Sequence, residues 1–299
     1  MGTNNTFTDL DIDIIARGAL KAFKNALLPL SVFSANLSPD PAQKGTTVRV
    51  LRLPAQGGTK DFDGKYDVSG SDADTVPVLI NKHKYTGWYL TDKEAIGQSF
   101  VSIDTFAEAK GYDIAKVVLT DILGAVKAAK FGAPVVTVAG EDFDVDTVLE
   151  IRKLCTLDGL PDINRGLVLD TDYYTALLKE LKTVSASGST AELREGALRR
   201  LAGFNVIESC VVPANGEDLK GFACTPDALL VAMRYLQPQK SHDYFRAEAI
   251  TDAETGFTLG LRQWYDNETG TDKIILEALY GFEVGNAKAL KRIVDDTTE

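Results

Sequence analysis

Two apolar, alternating segments separated by a long polar loop constrain this chain more than any other feature. Residues 46–54 and 76–90 alternate in the way that is typical of β-strands. About twenty residues rich in Gly, Asp, Ser and Lys lie between them, and a loop of that length in a compact domain is uncommon unless it is functional or disordered. Because an isolated two-stranded hairpin is at best marginally stable in water, we expect its missing partner to be another molecule. The pattern therefore indicates assembly before it indicates catalysis.

The chain is acidic, with 43 Asp and Glu residues against 32 Lys and Arg residues and a formal net charge of −11. Proteins that bind nucleic acid neutralise phosphates with clustered basic side chains, so a tight grip on DNA is not expected. A protein that encloses DNA without adhering to it would have this charge, and so would most bacterial enzymes.

Cysteine content and hydropathy bear on the cellular location. Cys155, Cys210 and Cys224 are odd in number, which is typical of a reducing compartment rather than a disulfide framework, although Cys210 and Cys224 could pair in principle. No apolar run approaches the roughly 18 residues needed to cross a membrane. The first residues show no secretory signal, so we expect no membrane association and synthesis in the cytoplasm.

The first 92 residues divide into an arm and a hairpin. Thr8 or Asp9 is a plausible N-cap for an arm helix, and Pro39 and Pro41 close the segment. Apolar residues recur at helical spacing along the arm, namely Ile12, Ile15, Ala16, Ala19, Phe23, Ala26, Leu27 and Leu30. Residues 1–42 are therefore interpreted as an arm and residues 43–92 as the hairpin with its loop.

A long amphipathic helix follows the hairpin and is predicted to lie across a sheet. It is expected to run for about 20 residues and to end at the Gly132 and Pro134 stop. Its apolar face is carried by Ala115, Leu119, Ile122, Val126 and Ala129.

Residues 143–239 alternate between short helices and strands and are interpreted as an α/β lobe. The predicted helices cover 145–155, opened by Asp144, 174–181 and 226–235, and the predicted strands cover 166–169, 204–207 and 222–224. Residues 185–190 are expected to form an exposed loop. Two closing strands are predicted at 258–265 and 273–284, followed by a polar tail from 288 to 299.

The sequence carries no pattern that indicates catalysis. His83 and His242 are its two histidines, and neither has a partner at metal-ligand spacing. There is no phosphate-binding loop, no dinucleotide fingerprint and no nucleophile elbow. The acidic run at 141–146 is interpreted as helix capping. We therefore expect a protein that is not an enzyme and that has no catalytic, cofactor-binding or metal-binding residues.

Charge pattern supplies the one candidate site. The loop tip carries Asp61, Asp63, Asp67, Asp72 and Asp74 against Lys60 and Lys65, whereas the return strand carries Lys82 and Lys84 beside Tyr85, Trp88 and Tyr89. The hypothesis is that the acidic tip of one copy lies near a basic strand or lobe of another; the alternative is a solvated loop beside an exposed strand. The candidate subunit-contact residues are Asp61, Phe62, Asp63, Lys65, Tyr66, Lys82, Lys84 and Trp88.

The order of arm, hairpin, long helix, α/β lobe and closing strands resembles the major capsid proteins of tailed phages, which have the Hong Kong 97-like fold. Residues 195–213 look like the family's helix, Gly-Phe, strand and Pro passage, and residues 274–294 look like its closing strand. The resemblance implies an α+β fold in which 43–92 are the extended loop (E-loop) that overlaps a neighbouring subunit. It also implies a peripheral domain of 93–142 and 240–299 with a spine helix, and an axial domain of 143–239.

The same resemblance implies a structural protein that self-assembles, as pentamers and hexamers, into the icosahedral head of a tailed bacteriophage around double-stranded DNA. Its expected partners are other copies of itself, a portal, a separate scaffolding protein and decoration proteins. A separate scaffold is expected because no long charged helical leader precedes the arm. The Lys–Asn cross-links of some relatives are not expected, since no motif aligns the loop lysines with Asn267, Glu283 and Asn286.

Two other readings stay open at this point. Encapsulin nanocompartments share the fold but enclose enzymes, and their usual Arg, Pro and Trp opening is not evident here. A soluble α/β enzyme would need a pocket with convergent polar groups in the 143–239 lobe.

Overall fold

The structure is a computed structural model and describes residues 18–23, 26–27, 29–36, 47–52, 61–64, 74–93, 100–184, 198–235, 246–252 and 256–296. Residues 18–23 and 26–27 are helical, and they are followed by helices α1 (Leu30–Phe33), α2 (Phe100–Leu123), α3 (Ala128–Phe131), α4 (Val145–Leu157) and α5 (Thr171–Val184). None of the helices in this part of the chain is long and apolar enough to cross a bilayer.

The strands are distributed over two larger sheets and one hairpin. They are β1 (Ser34–Asn36), β2 (Thr47–Arg52), β3 (Asp74–Leu79), β4 (Lys82–Thr91), β5 (Val136–Thr137), β6 (Gly166–Leu169), β7 (Arg200–Leu201), β8 (Phe204–Glu208), β9 (Leu219–Cys224), β10 (Leu229–Arg234), β11 (Arg246–Thr251), β12 (Thr258–Asp266), β13 (Thr271–Val284) and β14 (Leu290–Val294). This mixture confirms the predicted α+β class.

The first sheet is organised around β13, whose 14 residues pair with three strands. Its order is β1-β10-β13-β12-β11, and β4 lies antiparallel along the opposite edge of β13, with Trp88 across from Ile274. The two predicted closing strands are confirmed as β12 and β13. Side chains alternate along β13, so Ile274, Leu276, Ala278 and Tyr280 are buried on one face.

Helix α2 lies on that buried face, against β4 and β13, and it confirms the predicted spine helix. The N-terminal helical residues pack on α2 in turn: Ala19, Phe23, Leu27 and Leu30 are fully buried, as their spacing predicts. The other arm residues of that pattern that precede residue 18, together with both N-cap candidates, Pro39 and Pro41, lie outside the described residues.

The predicted end of the spine helix is wrong. Helix α2 ends at Leu123, and Val126 lies in the connection between α2 and the short helix α3. The Asn215 side-chain amide donates to the carbonyl oxygens of Leu123 at 3.0 Å and Val126 at 2.9 Å, which satisfies acceptors that the helix end leaves open. The chain thus ends the helix early because a distant loop caps it, which periodicity alone cannot predict.

The second sheet has the order β5-β14-β9-β6-β8-β7 and carries the α/β lobe. Helix α4 begins as predicted, because Asp144 accepts a hydrogen bond from the Thr147 backbone N–H at 2.7 Å. Its buried face is Val148, Ile151 and Cys155, and Leu149 is exposed. Helix α5 and strands β6, β8 and β9 are confirmed, and residues 185–190 lie outside the described residues.

Two segments have a different structure from the predicted one. The predicted helix at 226–235 is strand β10, which is hydrogen-bonded on one edge to β1 and on the other to β13. A short apolar run fits either a buried strand or a buried helix, and here pairing on both edges decides the outcome. The predicted polar tail contains strand β14, where Leu290 and Ile293 are fully buried and pair with β9.

The predicted strand at 76–90 is in fact two strands. Strand β3 pairs with β2 in the hairpin, and after residues 80–81 the chain continues as β4 in the first sheet. The base of the hairpin is buried within the same chain, since Val48, Val78 and Ile80 form a cluster with Leu230 and Ala232. A Cβ atom on Gly281 would lie 2.0 Å from the Leu79 carbonyl oxygen, so only glycine allows this close approach. The hairpin base therefore has an intramolecular partner, contrary to the expectation from sequence.

Candidate assembly surface

Strand β4 carries the predicted basic and aromatic residues, and its two faces differ in environment. Trp88 is half-buried against the core beneath the spine helix. Tyr85 and Tyr89 lie on the opposite face and are 71% and 63% exposed. Because successive residues of a strand point to opposite faces, these two tyrosines lie on the same, outer face of the first sheet.

Lys82 points toward the spine helix and has partners within its own chain. Its Nζ lies 2.7 Å from Asp121 Oδ2 and 4.2 Å from the centre of the Phe282 ring. Tyr280 also donates its hydroxyl hydrogen to Asp121 at 2.7 Å. Burial alone would raise the pKa of Asp121, but the hydrogen bonds from Lys82 and Tyr280 outweigh it and lower the pKa below 3.8.

Lys84 lies two residues further along the same face and is exposed. Its charge also contributes to the lowered pKa of Asp121. His83 lies on the outer face, where its Nε2 is 3.0 Å from Glu277 Oε2. Arg262 reaches the other oxygen of Glu277 at 2.7 Å, so this buried carboxylate joins β4, β12 and β13. His83 therefore contacts the carboxylate of Glu277 in the neighbouring strand, which is a structural role.

The loop tip is the second part of the predicted site. Asp61, Phe62 and Asp63 are exposed, and the Phe62 side chain is 65% exposed. Lys65 and Tyr66 lie outside the described residues. A large aromatic side chain between two carboxylates on a loop presents both apolar area and negative charge to solvent.

A groove at the end of the spine helix was not predicted from sequence. It encloses a cavity of about 610 Å³. Its lining includes Lys82, Lys127 and Lys130 with a single carboxylate, Asp121, over an apolar floor formed by Ala125, Ala129, Pro213 and Phe282. The sequence signal that could have identified it is the pair of lysines that follows Gly124, although the groove also needs the distant loop at 213–215.

A second cavity, of about 760 Å³, lies in the α/β lobe and bears on the enzyme alternative. Tyr173 lines this cavity, and its hydroxyl already has partners within the chain. It donates a hydrogen bond to the Val138 carbonyl at 2.6 Å and lies 3.1 Å from Asp295. Burial, followed by the nearby Asp295 carboxylate, raises the pKa of Tyr173 far above its usual value.

Burial likewise raises the pKa of Cys155 and Cys224, so neither thiol is an activated nucleophile. In the described part of the chain no three His, Cys, Asp or Glu residues are placed to hold a metal ion.

Comparison with solved structures identifies the fold. A chain of the capsid of cyanophage P-SCSP1u matches with a TM-score of 0.61 and 11% identity, over 90% of this chain and 88% of that one. A chain of the mature capsid of bacteriophage PhiM1 matches with a TM-score of 0.61 and 14% identity, over 90% and 87% of the two chains. The virus-like particle from Pyrococcus furiosus matches with a TM-score of 0.51 and 13% identity, over 93% and 97%.

No protein-family model matches the sequence, and no curated protein matches it. At identities this low the comparisons establish architecture, and they do so over about nine-tenths of the chain. The chain therefore has the fold of phage capsid proteins, which confirms the Hong Kong 97-like fold predicted from its sequence.

Proposed function

We propose that this chain is the major capsid protein of a tailed bacteriophage and forms the icosahedral shell around double-stranded DNA. The observation that carries the proposal is the match to phage capsid chains over about 90% of this chain and nearly as much of theirs. Function then resides in contacts between copies, and no residue is assigned a catalytic role.

The hairpin and its loop are proposed as the E-loop that reaches a neighbouring subunit. The hairpin base is packed on its own chain, through Val48 and Val78, whereas the tip residues 61–64 are exposed. A contact of this kind joins different surfaces of two copies, and such heterologous contacts close into rings when the rotation allows. Pentamers and hexamers are the rings that an icosahedral shell requires.

The two sheets suggest how the proposed domains are built. The peripheral domain is the first sheet with the spine helix, and the axial domain is the second sheet with α4 and α5. Strand β10 lies in the first sheet although its residues fall within 143–239, and β14 lies in the second although its residues follow residue 240. Each of the two proposed domains therefore contributes one strand to the sheet of the other, within the same chain.

The acidic balance of the chain supports enclosure of DNA without tight binding. A net charge of −11 opposes strong attachment to phosphates, so packaged DNA would remain movable inside the shell. The partners proposed with this function are other copies of the chain, a scaffolding protein, a portal and possible decoration proteins. The proposed location is the virion after synthesis in the host cytoplasm.

Electron microscopy of particles from cells that produce the chain alone, and then with its neighbouring genes, tests the proposal. Closed shells or open spirals are the expected result, and shells containing double-stranded DNA are expected when the packaging genes are present. Monodisperse monomers under both conditions would contradict shell formation. Denaturing gels of the shells are expected to show single chains rather than covalent ladders.

An encapsulin-like compartment is the second candidate, because the match to the virus-like particle from Pyrococcus furiosus shows that this fold also occurs in a shell that is not described as a phage capsid. That match covers nearly all of both chains, yet its TM-score is lower than those of the two phage capsids. The contents of the shell separate the two functions: a single cargo enzyme in place of DNA would assign the compartment.

A further inference from the structure

The groove at the end of the spine helix has the chemistry of a receptor for an acidic, apolar segment. Three lysines and one carboxylate line it, so its charge is net positive. Lys82 is paired with Asp121 at 2.7 Å, and Lys130 lies 3.7 Å from Glu283. Lys127 also lines the groove, and this residue is exposed.

The groove also presents apolar surface, so a ligand that fits it needs an apolar group as well as negative charge. Ala125, Ala129, Pro213 and Phe282 present apolar surface that water covers in the isolated chain. A fitting ligand places an apolar or aromatic group on this floor and carboxylates beside the lysines, since both the apolar burial and the charge pairing then contribute.

We propose that this groove receives the tip Asp61-Phe62-Asp63 from a second copy of the chain. Phe62 is 65% exposed between two exposed carboxylates, which is the combination that the groove requires. The phenyl ring covers the apolar floor, and the two aspartates lie against Lys127 and Lys130. The inference rests on the proposed shell function and specifies which surface of the neighbour the loop engages.

The arrangement suits assembly because the tip and the groove are different surfaces of one chain. Every copy offers one tip and one groove, so the contact is heterologous and repeats from copy to copy. Each ion pair is weak when exposed, but many copies multiply the contact around a shell. High salt is expected to weaken it, because exposed charges are screened within about 8–10 Å at ordinary ionic strength.

A charge-exchange experiment tests the pairing. Lys127→Glu with Lys130→Glu, and separately Asp61→Lys with Asp63→Lys, are each expected to raise the protein concentration needed for assembly by at least about tenfold. The chain with all four substitutions is expected to recover assembly. Lys116→Glu with Lys153→Glu is the matched control, since it changes the net charge equally at exposed positions on helices α2 and α4 that do not line the groove.

The outcomes separate this inference from the proposed function. If the unaltered chain forms shells and both reversals assemble normally, the groove is not the receptor and the shell function stands. The pairing would also be overturned if both charge-reversal variants fold but do not assemble, and the variant with all four substitutions does not recover assembly. If the unaltered chain forms no assemblies, the proposed function fails instead.

A peptide experiment decides the contact independently of shells. A synthetic peptide of residues 57–68 is expected to bind the full-length, unassembled chain and to lose binding when both aspartates are replaced by asparagine. Binding is also expected to disappear with Lys127→Glu and Lys130→Glu in the protein. Equal binding of the two peptides, or no binding at all, would overturn the proposal.

Discussion

Gly111 of the spine helix lies directly against the backbone of Ala19 in the N-terminal helical segment. A Cβ atom on Gly111 would be 2.4 Å from the Ala19 carbonyl oxygen, closer than real side chains approach a backbone atom. The glycine is therefore the point at which the arm docks on the spine. It also explains how the fully buried Ala19 and Phe23 reach the common core.

Gly111→Ala is expected to destabilise the chain although it removes a glycine from a helix. Helix propensity favours alanine by about 1 kcal/mol, whereas overpacking costs about 1–3 kcal/mol, and a contact with rigid backbone places this site at the upper end of that range. Urea unfolding monitored by circular dichroism measures the difference. The exposed Ala109→Gly is the control for propensity and should cost about 1 kcal/mol. A stabilised Gly111→Ala variant would show that the arm does not dock here.

The Asn215 amide caps the end of the spine helix through two hydrogen bonds, so Asn215→Asp is expected to remove this cap and destabilise the helix end. Aspartate fits the left-handed backbone at this position, where φ is 58°, but it places acceptor oxygens beside the carbonyls of Leu123 and Val126. The expected cost is about 1–3 kcal/mol, with faster hydrogen exchange in residues 124–131. Asn205→Asp is the control, because Asn205 accepts a hydrogen bond from Arg200 and an aspartate would still accept it. Unchanged exchange in Asn215→Asp would assign the helix end to its local turns alone.

The sequence predicted those parts of the fold in which local periodicity and core burial agree. The arm face at Ala19 to Leu30, the Asp144 cap and the two closing strands follow from local spacing alone. It failed where pairing with distant strands decides the structure, as at β10, whose apolar run fits either element until β1 and β13 are known to flank it.

The candidate site shows the same division between local and distant information. Exposure of Asp61, Phe62 and Asp63 followed from a polar loop, but the partner of Lys82 is Asp121, 39 residues away on the spine helix. The groove could not be predicted, since its wall comes from the loop at Pro213 and Asn215. Whether the eight candidate residues contact a neighbouring subunit stays a prediction.

Asp121→Asn is expected to remove part of the acid sensitivity of the fold. The pKa of Asp121 is lowered from 3.8 in the folded chain, so the stabilisation by its charge is complete above pH 3.8 and is lost as the pH falls through the lower, folded value. The variant should be less stable than the parent at neutral pH, and the difference should shrink below pH 3.8. Thermal unfolding followed from pH 7 to pH 2 measures it. Lys82→Met should flatten the same part of the profile and should add little to Asp121→Asn, since both remove one contact.

Lys84→Glu tests the basic strand without disturbing the fold. Reversal of the Lys82 charge would break its contact with Asp121. A combined change at both lysines would therefore alter stability and assembly together. Lys84 is exposed, and its reversal should change the unfolding free energy by no more than about 0.5 kcal/mol. If the strand meets an acidic neighbour, assembly of Lys84→Glu should be slower and its dependence on salt should fall in light-scattering measurements. Assembly kinetics equal to the parent's at every salt concentration would remove Lys84 from the contact residues.

Tyr85→Ser with Tyr89→Ser is expected to separate assembly from stability most cleanly. The two rings are 71% and 63% exposed on a strand that is hydrogen-bonded to β13, so their backbone orders no further on contact and they offer exposed apolar area. Their loss should lower the unfolding free energy only by the difference in strand propensity, up to about 1 kcal/mol per residue, because neither ring belongs to the core. The concentration needed for assembly should rise by about tenfold or more. Sedimentation of assembled from unassembled chains measures this, and Tyr112→Ser, at a 45% exposed position on the spine helix, is the matched control. A fall in stability well beyond that amount would instead mean that the outer face is covered by the chain's own residues. Assembly of the double variant equal to that of the parent would leave the loop tip as the principal contact.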